Sequence, residues 1–116
     1  MRYLMIHYID ESILWDEQGL EIEDPEGMKE LEAWDAEMIA RGILVGGDAL
    51  RPVRETTTMR MRGGELLVSD GPYAETKEQI AGYAMLECES LAQAIEVSSR
   101  HPTAKIGTFE LRPIMA

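Results

Sequence analysis

The chain opens with apolar side chains on both sides of a predicted strand. In residues 2–8, RYLMIHY, the even-numbered residues point one way and the odd-numbered residues the other. Both rows are largely apolar, which is typical of a strand covered on both faces. The stretch 9–23 that follows is polar and irregular, with Leu14 and Trp15 as its anchors, and connections of this length are often binding loops or lids.

The next segment has the spacing and the end signals of a helix. Asp24-Pro25 provides an N-cap and a proline at the first helical position. Arg41-Gly42 places a cation in the last turn and a glycine where a left-handed cap is needed. The apolar residues between these ends recur every three or four positions and predict one buried stripe: Met28, Leu31, Trp34 and Met38.

A second helix is predicted after residue 89. Ser90 is its N-cap and Gln93 completes a capping box, while His101-Pro102 ends the helix. At that end we expect His101 to be a structural residue, since its imidazolium form would interact favourably with the helix dipole. The side chains expected to face inward are Leu91, Ala94 and Ile95.

Five further segments have the alternation or composition of strands. They are 43–53, which loses definition at Gly46-Gly47, then 56–62, 65–68, 79–88 and 105–114. Gly63-Gly64 is a two-residue hairpin signal between the third and fourth of the chain's strands. The resulting order is a ferredoxin-like βαββαβ plan with an inserted β-hairpin, an α+β fold in a single domain, 1–116.

This plan predicts a homodimer. Two helices can cover only one face of the sheet, and the other face would carry an apolar row that should not remain in contact with water. We therefore expect two sheets packed face to face with pockets between them. The pattern leaves open whether that face carries Tyr3, Met5, Tyr83 and Met85 or their alternates.

The net charge of the chain and its distribution limit the kinds of molecule that the protein is expected to bind. The net charge is −11, which argues against nucleic acid and against anionic membrane surfaces. Residues 10–37 contain 12 acidic residues and one basic residue, whereas residues 41–62 contain five arginines against two acidic residues. Such runs are typical of solvated faces; the alternatives are a partly positive surface that attracts an anionic small molecule and an acidic surface that docks a basic partner.

Cysteine content and hydropathy bear on localisation. Cys88 is the one cysteine, so the chain forms no internal disulfide and fits a reducing cytoplasm. No run approaches the ~20 apolar residues of a membrane span. Neither glycine pair forms a nucleotide-binding motif, and the two histidines and the cysteine lack metal-ligand spacing, so we predict no cofactor and no metal.

The stretch SDGPYAETKEQIAGY, residues 69–83, holds most of the candidate site residues. Asp70 could act as a base at a strand end, although an Asp before Gly-Pro is also an ordinary turn residue that accepts backbone N–H bonds. Tyr73 could donate a hydrogen bond or simply pack. Lys77 could hold an anionic group or lie in a solvated loop. Glu75 could likewise be either a site residue or a solvated loop residue.

Two further candidates lie outside that stretch. His7 has an unperturbed pKa suited to proton transfer and shares a strand face with Tyr3 and Met5, but a lone histidine in an apolar strand is more often a core residue. Asp48 follows Gly46-Gly47, where glycines either let a ligand approach the backbone or form a bend.

Four segments carry a family resemblance: RYLMIHY, ARGILVGGDALRP, SDGPYAETKEQIAGY and GTFELRPI. Together they resemble the YCII-related family in its DGPF-motif branch, of the dimeric α+β barrel superfamily, with Tyr73 where phenylalanine is usual. The resemblance implies a ferredoxin-like fold, dimerisation and a functional link to alternative sigma factors. The histidine of the His–Asp pair proposed for the wider family lies on the first helix; Met28 to Arg41 contains no histidine, so that pair is not carried over.

Three functions remain open at this point. The first is a dimeric small-molecule binding protein, accessory or regulatory, with pockets between its sheets edged by His7, Asp48, Asp70 and Tyr73. The second is a cofactor-free acid/base enzyme of isomerase or lyase type in which His7 or Asp70 moves the proton. The third is an interaction module that docks a basic partner on acidic residues 10–37.

Overall fold

The structure is a computed structural model that describes residues 1–115. It has six strands and two helices: β1 Arg2–Ile9, α1 Pro25–Ala40, β2 Leu44–Ala49, β3 Thr57–Arg62, β4 Glu65–Asp70, β5 Gln79–Glu87, α2 Leu91–Ser99 and β6 Gly107–Pro113. Short 3-10 turns occupy Glu11–Ile13, Val53–Glu55 and Pro102–Lys105. This order confirms the predicted α+β class.

The four core strands form one antiparallel sheet in the order β2-β5-β1-β6. β1 is central, with Met5 opposite Ala84 of β5 and Leu111 of β6. β3 and β4 pair only with each other, as a separate two-stranded sheet. The topology is therefore ferredoxin-like with an inserted hairpin, as the pattern predicts.

Both helices pack on one face of the sheet. The odd-numbered residues of β1 point to that face, and the core consists of Tyr3, Met5, Trp34, Met38, Ile43, Ala84, Leu86, Cys88, Ala94 and Val97. The indole Nε1 of Trp34 donates a buried hydrogen bond of 2.8 Å to the carbonyl of Val97, which joins α1 to α2.

The helix ends form as their residues predict. Asp24 Oδ1 accepts from the backbone N–H of Gly27 at 3.1 Å, and Gly42 takes a positive φ of 71° after α1. Ser90 Oγ accepts from the N–H of Gln93 at 3.1 Å, while the Gln93 side chain accepts from the N–H preceding the cap.

The inward face of α2 differs from the prediction. Leu91 and Ile95 are 50% and 54% exposed, so placing them inward was wrong. The buried row is Ala94, Val97 and Ser98. Its small side chains at positions i, i+3 and i+4 let α2 approach the sheet closely, and the bulky apolar residues turn outward.

The opposite face of the sheet is covered by neither helix. Its centre carries Leu4 and Ile6 from β1 beside Met85 and Tyr83 from β5, as the register dictates. Tyr3 and Met5 thus lie under the helices, and Tyr83 and Met85 lie on the other side. We call this second surface the open face.

The hairpin of β3 and β4 is largely exposed. Its apolar side chains Met59, Met61, Leu66 and Val68 are each more than half exposed. Within residues 1–115, neither α1 nor α2 has both the length and the apolar character needed to cross a membrane.

Candidate functional site

A hydrogen-bonded acid–phenol pair lies on the open face. Asp48 of β2 is directly opposite Tyr83 of β5, and the Tyr83 hydroxyl donates to Asp48 Oδ2 at 2.9 Å. Both side chains are exposed. This hydrogen bond to the carboxylate raises the pKa of Tyr83 above its usual value of 10.0, so the phenol stays protonated as the donor of the pair.

Glycine next to Asp48 allows this pairing. Gly47 has a φ of 151°, and a Cβ built on it would lie 2.5 Å from the carbonyl oxygen of Tyr83. A side chain there would push β2 away from β5. The neighbouring Gly46 has open space around it, so close approach is required at one glycine of the pair only.

The long connection after β1 is fastened to the segment that follows β2. Glu11 Oε2 accepts from the N–H of Val53 at 2.8 Å, and the Arg51 guanidinium lies 5.8 Å from the ring centroid of Trp15. Arg51 also forms a two-point hydrogen bond with Glu55. The loop is therefore held beside the chain that leaves Asp48, which limits how far this end of the open face can rearrange.

The candidates from the SDGPY stretch lie elsewhere. Asp70 is the last residue of β4, opposite Thr57, and its exposed carboxylate accepts no hydrogen bond from the residues described. Tyr73 is 80% exposed, and the Arg60 guanidinium lies 5.5 Å from its ring centroid. Glu75 and Lys77 are exposed in the loop before β5. Among residues 1–115, none of these four side chains forms a hydrogen bond or an ion pair with Asp48 or Tyr83.

His7 lies on the helix side of β1 and faces away from the open face. Its ring packs 4.7 Å from Phe109 and 5.1 Å from His101, measured between centroids. Its buried Nε2 has no hydrogen-bond partner among residues 1–115. Burial lowers the pKa of His7 from 6.5 to about 4, so the ring is neutral at pH 7 and a weak base.

His101 is buried rather than exposed at a helix end. Its Nδ1 accepts from the N–H of Thr103 at 3.0 Å, which caps the short 3-10 turn. Burial lowers the pKa of His101 to about 4, with a smaller contribution from His7. The buried ring is therefore neutral and acts as a hydrogen-bond acceptor, so His101 has a structural role without an imidazolium charge at the end of α2.

The surface cavities formed by residues 1–115 include two that neither His7 nor Asp70 lines. One of about 280 Å³ lies on the hairpin, and one of about 670 Å³ lies between α1 and the Pro102–Lys105 turn. Within residues 1–115, no group of three or more His, Cys, Asp or Glu side chains is arranged to hold a metal ion.

Of the predicted site residues, Asp48 alone lies on the open face, and its partner Tyr83 was missed as a site residue. The sequence contains one signal for Tyr83: it shares a face of its strand with Met85, two positions further along the chain. That alternation identifies a row but not the register that sets Tyr83 opposite Asp48.

Known proteins resemble this chain over its whole length. A family model described as the YCII-related domain matches residues 1–116. An uncharacterised protein of Rhizobium meliloti (strain 1021) is 34% identical over 120 residues, which covers 98% of this chain and 92% of that protein. A match of this extent, with the strand order described above, leads to one conclusion: the chain belongs to the YCII-related family.

Proposed function

We propose that this protein is a homodimer that binds a small molecule between two open faces. The observation that supports the proposal is the one-sided sheet. α1 and α2 both cover the same face, and the opposite face places Leu4, Ile6 and Met85 side by side with nothing from either helix above them.

The composition of the open face suits a protein interface. Its centre is apolar, whereas the edge strand β6 contributes Glu110 and Arg112 opposite Ile6 and Leu4. An apolar centre with a charged margin is the usual arrangement of a stable interface. A second copy is the natural partner, because a two-fold axis through the sheet pairs the same patch with itself.

The proposed pocket lies where Asp48 and Tyr83 edge this interface. The Tyr83 hydroxyl donates its hydrogen bond to Asp48 Oδ2. Among residues 1–115, no group donates a hydrogen bond to the other carboxylate oxygen, Asp48 Oδ1. That oxygen can accept from a ligand hydroxyl or amine, and the phenol oxygen can accept a further bond. The ligand class that fits is therefore a polyol or an amine.

Membership of the YCII-related family bears on the biological role that we propose for this protein. The SDGPYAETKEQIAGY stretch favours the DGPF branch, and the resemblance there supports an accessory or regulatory role connected with alternative sigma factors. The single cysteine supports a cytoplasmic location. Asp70, Tyr73, Glu75 and Lys77 lie outside the proposed pocket. An acid/base reaction through His7 has no support in its position, since the ring lies on the helix side of the sheet in contact with Phe109.

A thermal-shift screen tests the proposal with two sets of probes. Polyols and amines form one set, and carboxylates and phosphates of similar size form the other. We expect stabilisation by members of the first set, lost in Asp48→Asn and retained in the control Glu65→Gln, whose carboxylate lies on the hairpin. Stabilisation that survives Asp48→Asn, or that comes only from the anionic set, would contradict the pocket while leaving the dimer to be judged separately.

A further inference from the structure

A groove with an apolar floor lies on the helix side of the molecule, away from the open face. Its volume is about 670 Å³, within the range of protein binding sites. The first turns of α1 form one wall, and the turn Pro102–Lys105 forms the other. Its apolar lining consists of Ile9, Leu14, Ile22, Met28, Leu31 and Ile106.

This floor continues the apolar stripe of α1 beyond the core. Trp34 and Met38 are buried, but Leu31 is only half-buried and Met28 is 49% exposed. On the other side of the groove, Ile106 is 45% exposed. This end of the apolar stripe is therefore exposed to solvent. An exposed apolar surface of this kind often marks a site where another molecule binds.

The rim of the groove is strongly acidic. Its five carboxylate side chains are Glu21, Glu23, Asp24, Glu26 and Glu30. Within residues 1–115, one cationic side chain lines the groove, that of Lys105, and its Nζ donates a hydrogen bond of 3.0 Å to Glu30 Oε2. Glu26 Oε1 also lies 3.8 Å from Lys29 Nζ on the exposed surface of α1, so Glu21, Glu23 and Asp24 supply most of the excess negative charge around the apolar floor.

We infer that this groove docks a basic amphipathic helix from a partner protein. Such a helix places apolar anchors at i, i+3 or i+4, and i+7 along one stripe and carries Lys or Arg on both flanks. The anchors would contact Met28, Leu31 and Ile106, and the flanking cations would face the acidic rim. Charge complementarity selects this occupant, because the cations on its flanks match the excess of carboxylates on the rim of the groove.

A designed peptide tests the inference by fluorescence anisotropy on the intact protein. The peptide carries a leucine stripe at helical spacing flanked by lysines, and two controls accompany it: a scrambled peptide of identical composition, and one with glutamate in place of lysine. We expect binding of the first peptide only, weakening at least tenfold between low salt and physiological salt. Equal binding of the scrambled peptide would overturn the helical mode.

Matched variants place the binding at the groove. Glu23→Gln/Glu26→Gln should weaken binding on the order of fivefold, because it removes two rim charges. Glu17→Gln/Glu32→Gln makes the same change in net charge outside the groove and should have little effect. Met28→Ser/Ile106→Ser should abolish binding, whereas Ile39→Ser, on the exposed surface of α1, should not.

Two outcomes would decide against the inference. If both charge variants lost the same amount of peptide affinity, the affinity would come from long-range attraction to the negative chain and not from the groove. A change in oligomeric state in Met28→Ser/Ile106→Ser would instead show that a second copy fills the groove. The variants that test the open face, Asp48→Asn and Ile6→Glu, leave these residues untouched, so the two proposals can fail independently.

Discussion

The imidazole rings of His7 and His101 meet edge to face beneath the sheet, with their centroids 5.1 Å apart. Phe109 and Trp34 complete the cluster, 5.2 Å and 4.8 Å from the His101 ring. The two histidines of the chain therefore pack together as neutral aromatic groups, and protonating either one would place a charge in a poorly solvated cluster.

This cluster predicts a loss of stability in mild acid. Each histidine has a folded pKa of about 4 against an ordinary value of 6.5, so the unfolded chain binds more protons between these values. The free energy of unfolding should be constant above about pH 6.5 with respect to these groups and should fall as the pH falls towards 4. Urea titrations at a series of pH values from 7 to 4.5 measure this slope.

His101→Asn is the informative variant for that slope. Asparagine can accept the N–H bond of Thr103 as the imidazole does, but it does not titrate. We expect a shallower fall in stability with acid, by about half if the two histidines contribute equally. An unchanged slope would show that His101 does not contribute to the acid sensitivity.

Adjacent glycines in β2 provide a second prediction. Gly47→Ala would place a Cβ 2.5 Å from the Tyr83 carbonyl and force a residue into positive φ, so β2 should separate from β5 and lower stability by at least about 1 kcal/mol. Gly46→Ala meets no atom within 4 Å and should change stability little. Urea unfolding followed by circular dichroism compares the two; equal effects would mean that the close approach at Gly47 is absent.

Trp34 provides a prediction about the contact between the helices. Trp34→Phe deletes the donor of the 2.8 Å bond to the Val97 carbonyl inside the core and should cost about 1–3 kcal/mol. Trp15→Phe is the control, since Trp15 is half-buried in the loop after β1. Denaturant midpoints by circular dichroism should fall clearly for the first variant and only slightly for the second; the reverse order would contradict the assignment of the core.

Cys88 predicts slow chemical labelling. The residue is 3% exposed, and burial raises the pKa of its thiol above the usual value. The native chain should react with a thiol reagent no faster than it opens, and the denatured chain should react at once. Immediate, complete labelling of the native protein would show that the end of β5 is not packed against the core.

Much of this fold could be predicted because its signals are local. Asp24, Gly42 and Ser90 determine helix ends through bonds to residues three or four positions away, and Gly63-Gly64 specifies a hairpin by turn geometry alone. Alternation in β1 and β5 identified two rows per strand. Each of these features depends only on residues close together in the sequence, and each is present in the structure.

The site could be predicted only in part because it depends on contacts distant in sequence. Asp48 meets Tyr83 across 35 positions, through a register that no local pattern contains. His7 is separated by 94 positions from His101, and only their contact shows that the ring is a core residue. Which row of β1 the helices cover was likewise undecided until α1 and α2 were placed.

The mass of the native particle in solution tests the central claim most directly. Multi-angle light scattering at micromolar concentration should report twice the chain mass of 13.0 kDa. Ile6→Glu, which puts a charge in the centre of the open face, should report the single-chain mass with its circular dichroism unchanged, while Ile39→Glu on α1 should remain dimeric. A wild-type particle of 13.0 kDa would contradict the account, since the open face would then remain in water.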